Sequence, residues 1–141
     1  EDWVLKHLEQ AQARLEKRRA SAHPPLSAEE RARYIKIARD IFTRRTEYYA
    51  RLMGVTYGRI SIREQKTRWG SCSSKGNLNF NWRLILAPEE VLDYVVVHEL
   101  AHRREMNHSK AFYVIVESVL PDYRRAQKWL KDNGQSLWYT V

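Results

Sequence analysis

The densest chemistry in the chain is the run His98-Glu99-Leu100-Ala101-His102. Its flanks, Val91, Leu92, Val95, Val96 and Val97, are apolar and free of Gly and Pro, which predicts a helix. On a helix, residues four apart share a face one turn apart, so His98 and His102 can aim two imidazoles at one ion. Glu99 lies about 100° further round, placed to reach a water beside the ion rather than the ion itself. This is the spacing used by helices that hold a hydrolytic zinc. The plainer reading is a structural helix whose polar residues pair with their neighbours. Two observations weigh against it. A Glu and two His in apolar surroundings are costly without a partner such as a metal. His108, six residues on, can supply the third protein ligand that a catalytic zinc usually takes, leaving one position for water.

The elements around this run have to place it. Pro88-Glu89-Glu90 marks the start of its helix, which is expected to end near Glu105. Met106-Asn107 makes a turn, and Ser109 caps a new helix with Phe112, Ile115, Val116 and Val119 inward. Pro121-Asp122 opens a last helix carrying Tyr123, Ala126, Trp129 and Leu130, with a stop expected at Asn133-Gly134. Upstream the pattern is β. Residues 58–63 alternate apolar and polar, residues 67–72 form a second short strand, and residues 73–76 turn. In residues 77–82, Leu78, Phe80 and Trp82 share one face and Asn77, Asn79 and Asn81 the other. Asn is a poor strand former, so that face is either the solvent side of a hairpin or the polar wall of a cleft. Residues 67–72 are expected at a sheet edge beside the metal cleft, where an extended peptide could add by main-chain hydrogen bonds.

Two helices come first. Residues 1–20 carry a stripe of Trp3, Val4, Leu8, Ala11 and Leu15, ended by Ser21-Ala22-His23-Pro24-Pro25, with His23 expected in an exposed loop. Ser27 and Glu30 form a capping box, and the helix after them runs to about Leu52 with Ile35, Ala38, Ile41, Phe42, Tyr49 and Leu52 inward. Gly54 is its stop. Repeats and low-complexity segments are absent from the sequence.

Length predicts one domain: an N-terminal helix and loop over residues 1–25 and a catalytic core over 26–141. Lys and Arg number 25 against 17 acids, a net charge of +8. That charge fits either a polyanion such as nucleic acid or an ordinary solvated surface; its dispersal over helices favours the latter. The single cysteine, Cys72, excludes an internal disulfide and fits a reducing, cytoplasmic setting. No apolar run reaches the ~18 residues of a membrane span, and no signal peptide is visible. The chain starts at Glu1 rather than Met, so a fragment or a processed product is expected.

Four blocks, taken together, resemble one family. They are residues 66–73 (KTRWGSCS), 81–88 (NWRLILAP), 93–102 (DYVVVHELAH) and 107–109 (NHS), and the likeness spans about Ile60 to Leu130. In that order they resemble the YgjP-like metallopeptidases, a family similar to SprT-like and gluzincin-type zinc proteases. The resemblance implies an α+β, zincin-like fold: a small antiparallel or mixed sheet with an edge strand over the active-site helix, and flanking helices. It implies Zn²⁺ on His98, His102 and His108, Glu99 as catalytic base, and a peptide or unfolded protein as substrate. Such proteins carry a β-rich segment ahead of the first helix, which this chain lacks. The gap from His102 to His108 equals that of metzincins, but Glu105 stands where their motif has Gly, so the chain turns differently.

The chemistry expected is hydrolysis by a water whose pKa the zinc lowers toward ~7, with Glu99 moving its proton. Arg68 and Tyr113 are candidates for stabilising the oxyanion, and Trp69 and Asn81 for contacting substrate. Asn81, Asp93 and Glu105 are candidates to accept from the second nitrogen of a ligand His. Cys72 reads as a small buried residue or a fourth, inhibitory ligand. Two other classes stand beside the peptidase: a zinc hydrolase of a nucleotide or phosphate ester, and a nucleic-acid-associated protein with a structural metal. Three His without a fourth protein ligand speak against the latter, and the lack of a glycine-rich phosphate loop weakens the former.

Overall fold

Ser27 opens the helix that braces the molecule. Its hydroxyl accepts from the Glu30 amide, and the Glu30 carboxylate accepts in return from the Ser27 amide, so the expected capping box forms. The computed structural model describes residues 2–20 and 26–140, with side chains described over 4–13 and 26–138. The break at residues 21–25, His23 and the side chains of Trp3 and Leu15 lie outside that range. Helix α1 is Asp2–Ala20 and α2 is Ala28–Met53, the latter closed by Gly54 in the left-handed region at φ 68°. Strands β1 (Ile60–Arg63), β2 (Gly70–Cys72) and β3 (Leu78–Asn81) follow. A buried 3₁₀ helix, Trp82–Leu86, leads into α3 (Glu89–Ala101), α4 (Lys110–Val119) and α5 (Tyr123–Thr140).

The sheet is mixed, in the order β1-β3-β2. β1 runs parallel to β3, with Ser61 opposite Asn79, and β2 runs antiparallel to it, with Ser71 opposite the same Asn79. β2 pairs on one side only and is therefore an edge, as expected. Its strand is shorter than expected: the chain turns at residues 66–67, residues 68–69 lie outside any strand, and the strand begins at Gly70. Leu78, Phe80 and Trp82 are fully buried on the face that meets α2. Phe42 stacks on Phe80 at 4.5 Å and Tyr34 on Trp82 at 5.9 Å, contacts worth about 0.5–1.5 kcal/mol each beyond the area they bury.

The core includes Val4, Leu8 and Ala11 of α1, Ala38, Ile41 and Phe42 of α2, and nearly the whole circumference of α3. Gln12 donates to the Ala87 carbonyl and ties α1 to the 3₁₀ segment. Three elements depart from the periodicity of the sequence. Leu52, expected inward, is 60% exposed, and Tyr34, Ala50 and Met53 take the buried stripe of α2 instead. α3 ends at Ala101 rather than near Glu105, and residues 102–104 form a turn. α5 runs through Asn133-Gly134 to Thr140, because Gly134 serves packing rather than termination: a Cβ there would stand 3.2 Å from Trp69 Cζ2. No helix among the described residues is long and apolar enough to cross a membrane.

Candidate metal centre

α3 is buried on almost every side, so its few polar side chains sit where a solvated charge cannot. Arg45 of α2 reaches its outer flank and pairs with Glu89 and, at 3.2 Å, with Asp93. Burial raises the Asp93 carboxyl above its ordinary range, against the opposing pull of Arg45 and a hydrogen bond from Tyr49. Burial also raises the Tyr49 hydroxyl, which the carboxylate of Asp93 lifts further. This pairing anchors α3 to α2 on the side away from the motif, and it removes Asp93 from the candidates for orienting a metal ligand.

At the far end of α3 the motif residues converge. His98, His102 and His108 each offer a ring nitrogen, and these lie within 4.8 Å of one another. Two are brought by the helix turn and the third by the 102–109 connection, which Ser109 closes as N-cap of α4. Phe112, fully buried, is the floor beneath all three: its ring centroid lies 5.0, 4.6 and 5.1 Å from those of His98, His102 and His108. Proton positions follow from the partners. The Glu105 carbonyl can only accept, so His102 donates to it from Nδ1 (3.1 Å) and Nε2 is the nitrogen left to face an ion. Glu105 thus serves through its backbone rather than its carboxylate. His98 Nδ1 lies 3.0 Å from Glu99 Oε2, which leaves its Nε2 for an ion in the same way. Burial and the two neighbouring imidazoles push His108 below its ordinary pKa, favouring the neutral form a ligand needs. Three imidazoles with no fourth donor among the described residues suit zinc and leave a position open.

Glu99 is 5% exposed, and its second oxygen, Oε1, stands 4.0 Å from His102 Nε2, on the side where an ion would sit. It fits there because residue 70 is glycine: a Cβ on Gly70 would lie 3.1 Å from Glu99 Cγ and 3.0 Å from Val95 Cγ1. The sequence offered Gly70 only as part of a block; its role depends on the approach of β2 to α3. The cleft in front of the three His is about 320 Å³ and is walled by Arg68, Gly70, Ser71 and Cys72 on one side and the exposed Met106 on the other.

The remaining candidates separate. Arg68 lines the cleft. Trp69 stacks on Trp138 of α5 at 3.8 Å and lines a neighbouring pocket. Asn81 is 1% exposed; its amide donates to the Arg68 carbonyl and, very closely, to the Gln65 carbonyl, while its oxygen accepts from the Arg83 amide. It holds the loop before β2 rather than facing the cleft. Tyr113 stands 6.4 Å from His108 but packs on Tyr123 and is not a cleft wall. Cys72 is half-buried in the wall, donates to the Ser73 carbonyl and lies outside the ligand group. Burial and Glu99 raise its pKa, so it remains a thiol. The Asn face is neither of the two alternatives alone. Asn77 accepts from the Arg59 amide, and Asn79 bridges Arg63 and Ser71, so the row laces the sheet together. Arg103 donates to the Thr56 and Ser74 carbonyls and Arg104 to that of Met53, which turns both away from the cleft.

Known proteins share this architecture. The crystal structure of the metallopeptidase zymogen of Pyrococcus abyssi abylysin superposes with a TM-score of 0.58 at 23% identity, over 64% of this chain and 93% of that one. At that identity the likeness speaks for the fold, which is α+β and zincin-like. A UTP pyrophosphatase of Escherichia coli (strain K12) is 46% identical over 41 residues, 29% of this chain. The matched stretch spans a quarter of that curated relative's length. The model of the family described as YgjP-like, metallopeptidase domain, matches residues 8–133, and by that match the chain belongs to it.

Proposed function

We propose that this metallohydrolase binds zinc through His98, His102 and His108 and hydrolyses peptide bonds in extended or unfolded segments, with Glu99 as general base. One observation carries the reading: three convergent imidazoles and a buried carboxylate open onto a cleft whose other wall is a free sheet edge. Zinc, when bound, supplies Lewis-acid polarisation of a carbonyl and lowers the pKa of a water toward ~7. Everything else falls to the protein. Glu99 Oε1 takes the proton from water and delivers it to the departing amine, while Oε2 stays on His98 Nδ1. The unpaired side of β2 offers main-chain donors and acceptors to a substrate strand, which reads little side-chain sequence and excludes folded domains. Of the two residues expected to steady developing negative charge, Arg68 and Tyr113, Arg68 lines the cleft.

The test is metal-loaded protein with unfolded casein against Glu99→Gln. The variant is expected to keep its metal and lose at least ~10²-fold in rate, the usual scale for removal of a general base. Undiminished proteolysis by the variant would remove Glu99 from the mechanism. A second reading, hydrolysis of a nucleoside triphosphate, is favoured by the partial likeness to the UTP pyrophosphatase and by Arg68 at the cleft. Glu99-dependent release of phosphate or pyrophosphate from UTP, without proteolysis, would decide for it.

A further inference from the structure

Beside the metal cleft lies a second pocket of about 270 Å³, and the two share Arg68, Gly70 and Ser71 as a common wall. Arg63, Gln65, Asn79 and Asn81 add polar groups to it and Trp69 and Phe80 aromatic ones, and no acidic side chain lines it. We infer that this pocket is an oxyanion subsite that holds an acidic group carried by the substrate next to the bond being hydrolysed. The inference rests on the hydrolase reading of the adjoining cleft.

Donor and acceptor bookkeeping fixes the polarity of the pocket. Arg63 can only donate, so Asn79 must present its carbonyl oxygen to Arg63 Nε at 2.9 Å. That orientation turns the Asn79 amide group toward Ser71, whose hydroxyl oxygen accepts at 3.0 Å. With its oxygen engaged, Ser71 has its own proton to give, and Ser71 belongs to both pockets. The chain Arg63-Asn79-Ser71 crosses the sheet from β1 through β3 to the β2 edge and ends in a donor. Arg68 adds a guanidinium that makes no hydrogen bond or ion pair among the described residues. Arg63 spends one of its five N–H groups on Asn79, so its outer nitrogens add further donors. Two guanidinium groups and a hydroxyl, with no carboxylate to neutralise them, match a carboxylate or phosphate in charge and in donor geometry. A substrate strand laid along β2 would bring a neighbouring group to this pocket. The oxyanion is then the carboxylate of an acidic residue in a peptide, or a phosphate in a nucleotide.

The measurement is equilibrium binding to metal-loaded Glu99→Gln protein, which does not turn substrate over, run beside hydrolysis by the unaltered chain. Two matched pairs of probes are used: an extended peptide bearing Glu against its Gln twin, and UTP against uridine. The expected result is that at least one acidic probe binds tenfold or more tighter than its neutral twin, as charge-assisted hydrogen bonds require. Arg68→Gln and Arg63→Gln in that background are each expected to shrink the ratio severalfold. Whichever pair shows the effect names the source of the oxyanion. Equal binding within both pairs, or a preference that survives both substitutions, overturns the inference. Arg68→Gln removes no hydrogen bond or ion pair among the described residues, so it decides the matter even if Arg63→Gln, which loses its bond to Asn79, fails to fold. Absence of any hydrolysis by the unaltered protein would count against the proposed reaction, while the binding ratios would still judge the subsite.

Discussion

Glu99 keeps its place because its neighbour across the cleft has no side chain. A methyl group at residue 70 would press at 3.0–3.1 Å on Val95, the Asn79 carbonyl and Glu99 together, and two of these three belong to packed elements that cannot retreat. Gly70→Ala is therefore expected to push the Glu99 carboxylate from its position, lowering hydrolysis at least ~tenfold, with a stability loss of about 1–3 kcal/mol for the overpacking. Metal content should hold, since Gly70 touches none of the three imidazoles. Metal analysis, urea unfolding and turnover on one preparation check this, and an unchanged rate would show that Glu99 is not so constrained. Asp93 gives a pH-dependent counterpart. Its folded pKa is raised above the ordinary 3.8, so the native state holds this proton more tightly than the unfolded chain. Below 3.8 both states are protonated and the group is neutral in effect. As pH climbs from there through the raised value, its contribution to stability falls. Urea midpoints from pH 4 to 7 should show the native protein losing stability relative to Asp93→Asn as pH rises. A constant difference would mean that Asp93 is not perturbed.

Among the elements, those whose signals are local could be read in advance. The Ser27 capping box, the Gly54 stop, the Ser109 cap and the strict alternation of Leu78, Phe80 and Trp82 depend on residues a few positions apart, and each forms. The convergence of His98, His102 and His108 was legible for the same reason: the first two are one helical turn apart and the third follows a short turn. What could not be read is set by distant partners. Gly134 has the look of a helix stop, but the Trp69 ring packs against it and α5 continues, with Trp138 stacked on that ring. The role of Arg63 depends on Asn79, sixteen residues away across a strand pair. Asn81 looked like a cleft residue and is instead a clasp for the 65–68 loop. α5 is thus the support of the loop that carries Arg68. Gly134→Leu is expected to force Trp69 off Trp138 and cost about 1–3 kcal/mol, since a bulky group has no room at that contact. Loss of the Trp69 environment in tryptophan fluorescence, together with a lowered unfolding midpoint, checks it; an unshifted midpoint would show that α5 yields easily.

For the molecule as a whole, the net charge of +8 has an uneven distribution of work. Arg45, Arg83, Arg103 and Arg104 are consumed by carboxylates, carbonyls or rings inside the structure. Arg63 and Arg68 are the pair left beside the cleft. Raising ionic strength should therefore weaken binding of acidic probes while barely moving the unfolding midpoint, because exposed charges are screened and buried pairs are not. Titrations at 0.05 and 0.5 M salt on one sample would show it; a midpoint that collapses with salt would refute the division. The connection 102–109 has a consequence of another kind. Two of the three imidazoles lie at the end of α3 and the third at the threshold of α4, so an ion held by them would bridge the segment that joins them. Ion affinity and the order of that hinge are then one free energy seen from two sides. While free ion stays well above its dissociation constant, each tenfold fall releases about 1.4 kcal/mol of constraint, felt first at the hinge rather than in the core. In a chelator, amides of residues 103–110 should exchange with solvent far faster while those of α2 stay protected, so that the hinge itself becomes a gauge of how much ion its surroundings hold.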